Sequence, residues 1–233
     1  MTGYKLGING LGDEIGDVKG GTNILLIGPP MCGKDIILNN IMFQGLSDGE
    51  FAVFITTAES GENIINWFKE NKNGIEDHMD QFGVIDCVSK TLGLKVEDTK
   101  TIKRVSSPVN LTGISVGITS FFEEFWMKKE IHKARMCIDS LSTMLMYSNI
   151  QTVFRFLHVH SRRIKTADAI GIYIVESGMH DEQTIVTVKQ LFDGVLEIKN
   201  EEDNFFIRAL GLSPKPTKWF GYEIDGAEVI VEV

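Results

Sequence analysis

Cysteine is scarce in this chain: Cys32, Cys87 and Cys137 stand far apart, and no Cys-x-x-Cys pair occurs. Without a paired-thiol motif they read as small apolar fillers in a reducing compartment. Long hydrophobic runs are missing too. No stretch of about 18 apolar residues is present, which argues against membrane insertion, and Met1-Thr2-Gly3-Tyr4-Lys5 lacks the layout of a signal peptide. The expected location is cytoplasmic. Basic charge is also short: 23 Lys and Arg against 32 Asp and Glu leave a formal net charge of −9, which argues against nucleic acid as a partner. Repeats, linkers and low-complexity tracts are absent. A chain of 233 residues, 43% hydrophobic and 24% charged, is therefore expected to form one domain, 1–233, with a large core.

What is there centres on residues 24–38. Ile24-Leu25-Leu26-Ile27 reads as a buried strand, Gly28-Pro29-Pro30-Met31-Cys32-Gly33-Lys34 spells G-x-x-x-x-G-K, and a helical pattern through Ile36, Ile37, Asn40 and Ile41 begins at once. Strand, glycine loop and helix are the context of a phosphate-binding P-loop. The glycines let the backbone curl its N–H groups toward phosphate oxygens, and the helix adds free donors and the positive end of its dipole. Lys34 supplies the charge for the outer phosphates. The nucleotide-binding set is thus Gly28, Pro29, Pro30, Met31, Cys32, Gly33, Lys34, Asp35 and Ile36. One position breaks the pattern: the residue after Lys34, where a Ser or Thr hydroxyl binds Mg²⁺, is Asp35. Cys32 stands out among the thiols, because pKa values fall at helix N-termini.

Periodicity organises the rest. A turn at Gly20-Gly21 leads to a strand over 23–28 and a helix over 34–47; Asp48-Gly49 is a turn, and Phe51 to Thr57 a second buried strand. Ser60 caps a helix over 61–72 that points Ile64, Ile65 and Phe68 inward. Short strands are expected over 83–88 and 102–105, a helix from Ile114 to about Lys133, a strand over 136–139, a helix over 150–166 and a strand over 170–175. The last quarter, with 183–189, 192–199, 205–210 and 221–233 β-branched or alternating and Asp225-Gly226 as a hairpin signal, predicts a β-rich end. The fold class is α/β: a mostly parallel sheet flanked by helices, extended by antiparallel strands.

Three carboxylates fall at predicted strand ends. Arg135-Met136-Cys137-Ile138-Asp139 is an apolar strand ending in Asp, the form of a Walker B residue that orders Mg²⁺; Asp35 and Asp139 are the metal candidates. Glu59, after the second strand, faces the same crevice in a parallel sheet and is the candidate catalytic base for orienting water. Glu176 follows the strand over 170–175 and is the candidate γ-phosphate sensor. His158 and His160, two apart on a helix, face different ways and make no metal pair, and Phe121, Phe122, Phe125 and Trp126 read as core.

These residues carry a resemblance. Gly10-Leu11-Gly12-Asp13-Glu14-Ile15, Gly20-Gly21, the loop Gly28 to Lys34, Phe54-Ile55-Thr56-Thr57-Ala58-Glu59-Ser60, Ile138-Asp139-Ser140-Leu141-Ser142 and Phe192-Asp193-Gly194-Val195-Leu196-Glu197 follow one another as in the KaiC branch of the RecA-type ATPases. Most of the chain resembles the single-domain, archaeal-type KaiC-like proteins. The resemblance implies a RecA-like fold, ATP or ADP with Mg²⁺ at a subunit interface, and a homo-oligomer, often a hexameric ring. It further implies slow ATP hydrolysis whose nucleotide state regulates assembly or a protein partner. The alternative is a degenerate, non-hydrolysing interaction or scaffold subunit. Departures from the family pattern feed that alternative: Asp35 replaces the metal-binding hydroxyl, and Ala58 takes the first of two tandem glutamates, leaving Glu59. The family's Lys-x-Arg-Gly stretch has no clear counterpart; in its region stand Arg208, Lys215 and Lys218, the last two being candidate trans-acting basic residues.

Asp35 can be weighed. A carboxylate about 5 Å from a phosphate charge, at an effective dielectric near 20, is repelled by roughly 3 kcal/mol, or about a hundredfold in affinity. Mg²⁺ between the two reverses the sign, because Asp is itself a Mg²⁺ ligand. Asp35→Thr is therefore expected to strengthen ATP binding in EDTA by up to about a hundredfold by calorimetry. An unchanged affinity overturns the repulsion argument.

Overall fold

The computed structural model describes residues 3–202 and 204–232; Met1 and Thr2 of the lead-in, Asp203, and Val233 at the end of the predicted 221–233 segment lie outside the described residues. A small ribbon comes first, with β1 (Gly3–Tyr4) antiparallel to β2 (Val18–Lys19) around α1 (Leu11–Ile15). Strand–helix units follow: β3 (Thr22–Gly28), α2 (Lys34–Ser47), β4 (Phe51–Thr56), α3 (Gly61–Asn71) and β5 (Phe82–Asp86). Next are β6 (Ile102–Arg104), α4 (Leu111–Phe122), β7 (Ala134–Asp139), α5 (Leu141–Tyr147), α6 (Ile150–Thr166), β8 (Ile170–Glu176) and α7 (Glu182–Lys189). The chain closes with β9 (Gly194–Glu201), β10 (Asn204–Leu210), β11 (Phe220–Asp225) and β12 (Glu228–Val231).

One sheet holds β3 to β12 in the order β12-β11-β10-β9-β3-β8-β7-β4-β5-β6. From β9 to β6 every pairing is parallel, and from β9 to β12 every pairing is antiparallel. Parallel strands covered on both faces read as unbroken apolar runs, and β3 does so: Ile24 and Leu26 enter one core, Leu25 and Ile27 the other. The mostly parallel sheet with an antiparallel extension is the architecture expected from the sequence.

Local chemistry explains most element boundaries. Ser60 caps α3 by accepting from the Asn63 N–H at 3.1 Å, and Asn149 caps α6 by accepting from the Thr152 N–H at 2.9 Å. Asp225-Gly226 turns β11 into β12, with Gly226 at φ 59°. Two expectations fail. The β-branched residues at 183–189 form α7 instead of a strand: Asp181 caps the segment by accepting from the Thr184 N–H at 2.8 Å. The segment joins β8 to β9, which flank β3 in parallel, and a parallel crossover calls for a helix. The helix predicted to reach Lys133 leaves α-geometry at Phe122 and continues as π-turns over Glu123–Lys128. The wider turn brings Phe122, Phe125 and Trp126 all against Phe51, at centroid distances of 5.0, 5.3 and 6.4 Å. The aromatic cluster is core, as expected.

Helix α2 is fastened to the sheet by a buried arginine, itself held by a carboxylate just before β4. Arg135 on β7 donates through Nη2 to Glu50 Oε1 at 3.0 Å and through Nη1 to the Ile41 carbonyl at 2.6 Å, its Nε also meeting Glu50 Oε2. The two side chains are 0% and 1% exposed. A Cβ on Gly45 would lie 2.3 Å from Arg135 Nε, so this helix position must be bare. Removing one partner of a buried pair strands the other, at a cost of about 3–5 kcal/mol. Glu50→Ala is expected to lower stability by about that amount in urea unfolding. A loss below about 1 kcal/mol contradicts the dependence of buried Arg135 on Glu50.

Candidate functional site

The register of the parallel strands determines which residues meet. Gly28 of β3 lies opposite Glu176 of β8, and Asp139 of β7 opposite Thr56 of β4. The C-terminal ends of four strands thus bring the Gly28–Lys34 loop, Glu176, Asp139 and the segment Thr57 to Ser60 to one sheet edge.

The loop is shaped by two glycines and by the strands behind it. Met31 and Gly33 have φ of 59° and 74°, and Met31 points to solvent at 94% exposure. A Cβ at Gly28 would lie 2.7 Å from Ile198 Cβ, and one at Gly33 would lie 1.9 Å from Ile224 Cδ1. The hairpin β11–β12 packs directly beneath. The Tyr222 hydroxyl donates to the Cys32 carbonyl, and Asn40 of α2 donates to the Ala227 carbonyl at 2.9 Å. Lys72, buried at the end of α3, reaches Asn40 Oδ1 at 2.7 Å, the Ala227 carbonyl at 3.1 Å and Glu228. The Cys32 thiol does not follow the helix-terminus expectation: burial pushes its pKa up, outweighing the opposing charge of Lys34.

Lys34 is buried, and its ammonium meets the Pro29 carbonyl, Glu176 Oε2 at 3.0 Å and Cys32 Sγ at 3.4 Å. Asp35 is exposed on the first turn of α2, while Asp139 is half-buried. Burial raises the Asp139 pKa to about 7, aided by the charges of Asp35, Glu176 and Glu59 and opposed by Lys34. Glu59 is exposed, and its Oε2 accepts from Asn63 Nδ2 at 2.8 Å. Among the described residues no three His, Cys, Asp or Glu side chains are grouped to hold a metal ion.

Sequence reading missed the residues that fix these carboxylates. The Thr57 hydroxyl bridges the Asp139 and Ser140 carbonyls at 3.0 and 3.1 Å and accepts from the Ser140 N–H at 2.7 Å. Ser142 Oγ accepts from the Glu176 N–H at 2.9 Å, and the Ser177 N–H donates to the Gly28 carbonyl at 2.8 Å. The hydroxyls of Thr57 and Ser142, each next to a strand end, were the available signal. Tyr222, 190 positions from Cys32, gave none. Lys215 and Lys218 do not join the site. Leu210 pairs with Val195 near the start of β9, so the loop that follows lies at the opposite sheet edge from Gly28. Arg208 is spent on Glu197 at 2.6 Å.

Residues 21–198 match the profile of DUF7504, a family of unknown function. The chain belongs to that family. The DUF7504 match spans β3 to β9 with the loop, Asp139 and Glu176, and stops short of the hairpin beneath the loop. No curated protein matches the chain. Among solved structures, the chain is similar to the KaiC-like protein PH0186 of the hyperthermophilic archaeon Pyrococcus horikoshii OT3, with TM-score 0.69 and 18% identity over 100% of this chain and 99% of that one. It is also similar to the uncharacterized protein PH0321 of Pyrococcus horikoshii, crystallised with an unknown peptide, with TM-score 0.76 and 17% identity over 98% of each chain. These likenesses show a KaiC-like, RecA-type fold. No helix among the described residues is long and apolar enough to cross a membrane.

The raised pKa of Asp139 makes stability depend on pH. A carboxyl whose native pKa lies above its unfolded value binds more protons when folded, so stability falls as pH rises between about 4 and 7. A rise from the usual 3.8 to about 7 corresponds to no more than about 4 kcal/mol. Asp139→Asn is expected to raise the melting temperature at pH 7.5 by several degrees and to lose that advantage below pH 4. An equal melting temperature at both pH values contradicts it.

Proposed function

We propose that this chain is a KaiC-like nucleotide-binding protein, and that residues 1–233 act as one RecA-like unit. The observation that carries the reading is Lys34 Nζ, buried behind a left-handed glycine turn and 3.0 Å from a carboxylate oxygen. An oxygen anion is thus accommodated where an outer phosphate of ATP or ADP would lie. Gly28 to Ile36 wraps the phosphates with backbone N–H groups, and Lys34 neutralises them. The cation that accompanies the nucleotide is Mg²⁺. This cation keeps several waters and is held by one or two carboxylates together with substrate phosphates. Asp35 and Asp139 are those carboxylates. A cation there also offsets the cost of ionising Asp139.

When bound, Mg²⁺ and ATP supply a γ-phosphoryl group for transfer to water. Glu59, oriented by Asn63, positions that water, and Glu176 reads the outer phosphate. Lys215 and Lys218, on the edge away from their own loop, are the basic residues for acting in trans on a neighbour in a homo-oligomeric ring. The nucleotide state then regulates assembly or a protein partner. The exposure of Glu59, Ala58 before it, and the peptide bound by one Pyrococcus neighbour favour a second reading: a non-hydrolysing interaction subunit.

Titration of ATP and ADP by calorimetry, with Mg²⁺ and then with EDTA, tests the first reading. Micromolar, Mg²⁺-dependent binding is expected, together with slow turnover that Glu59→Gln abolishes. Binding without turnover leaves the second reading standing, and no binding in either condition refutes the first.

A further inference from the structure

We propose that Glu176 is an internal counter-ion that competes with ligand phosphate for Lys34, so that the loop admits a cation-accompanied polyphosphate and turns away single free anions. The inference rests on the nucleotide reading and adds to it the class of ligand the site selects.

Three observations carry it. An ammonium has three protons to donate, and those of Lys34 face three acceptors of its own chain: the Pro29 carbonyl, Glu176 Oε2 and Cys32 Sγ. With the Lys34 side chain 5% exposed, no donor is left pointing at solvent, and an incoming anion must take the place of one of these acceptors. Second, the acceptor that can leave is Glu176. Its side chain is 29% exposed. The Pro29 carbonyl and the Cys32 thiol, in contrast, belong to the loop. The Glu176 backbone stays in place during such an exchange, held by Ser142 Oγ and, through Ser177, by the Gly28 carbonyl.

Third, the surroundings make that exchange costly for a bare anion. Glu176 and Asp139 end the neighbouring strands β8 and β7, Asp35 follows Lys34 on the first turn of α2, and Glu59 follows β4, so four carboxylates share this sheet edge. A phosphate or sulfate that displaces Glu176 takes up the lysine charge and leaves one more unpaired carboxylate in that group. A diphosphate or triphosphate carrying its own divalent cation brings the charge needed to offset the freed Glu176 beside Asp139. The competition also gives the ligand a lever. Each binding event frees a side chain whose own N–H is bonded to α5 and whose neighbour Ser177 is bonded to the Gly28 carbonyl at the start of the loop.

The test titrates sodium pyrophosphate in EDTA, and Mg²⁺·ADP separately, into the wild-type chain, Glu176→Gln and Glu176→Ala. Thermal melts check that each variant is folded. Neutralising the competitor is expected to raise pyrophosphate affinity in EDTA at least tenfold in both variants, and Lys34→Met added to Glu176→Gln should abolish the gain. Equal or weaker pyrophosphate binding by both variants overturns the proposal, and if wild type still binds Mg²⁺·ADP the nucleotide reading stands without it. A pyrophosphate gain with no binding of Mg²⁺·ADP by any chain supports the counter-ion and refutes the nucleotide reading. No binding of either probe by any chain overturns both.

Discussion

The ammonium of Lys34 holds the C-terminal edge of the parallel strands together. Asp35, Glu59, Asp139 and Glu176 project from four different segments that converge there, and like charges gathered at partly dry strand ends repel one another. Lys34 gives the group a buried positive charge, and its contact with Glu176 joins the loop after β3 to the end of β8. The response of Asp139 shows how incomplete the compensation is: burial and its three acidic neighbours outweigh the lysine. The edge is therefore poised to gain from added positive charge.

The fold makes this convergence unavoidable. Parallel strands direct their C-terminal ends to the same side, so every β-to-α connection of the central sheet emerges there. With β8 between β3 and β7, Glu176 stands between the glycine loop and Asp139. The hydroxyls of Thr57 and Ser142 then stitch the connections to one another, so that the carboxylates are carried by a braced rim.

Much of this was legible in the sequence because it is local. β3, α2, β4, α3 and α6 announce themselves through apolar runs, helical spacing and capping residues, and the strand–loop–helix sequence around Gly28 to Lys34 needs no distant partner to be recognised. The illegible parts depend on tertiary context. α7 has the β-branched composition of a strand, and its place between two parallel neighbours of β3, with the Asp181 cap, makes it a helix. The π-turns after α4 answer to Phe51, which lies some seventy residues earlier in the chain. The bareness of Gly33 has the same character: the side chain that would collide with a Cβ there is Ile224, on a strand invisible from the loop's own sequence.

That last contact has a consequence for the order in which the molecule is made. Synthesis delivers the glycine loop and α2 early, whereas Tyr222, Ile224 and Ala227, which brace them, come nearly two hundred residues later. A nascent chain can carry the whole of β3, the loop and α2 while nothing yet supports the Cys32 carbonyl or faces Gly33. The loop is thus completed only when the hairpin docks. A protease cut within β11 or β12, at the far end of the chain, would be felt at residue 33.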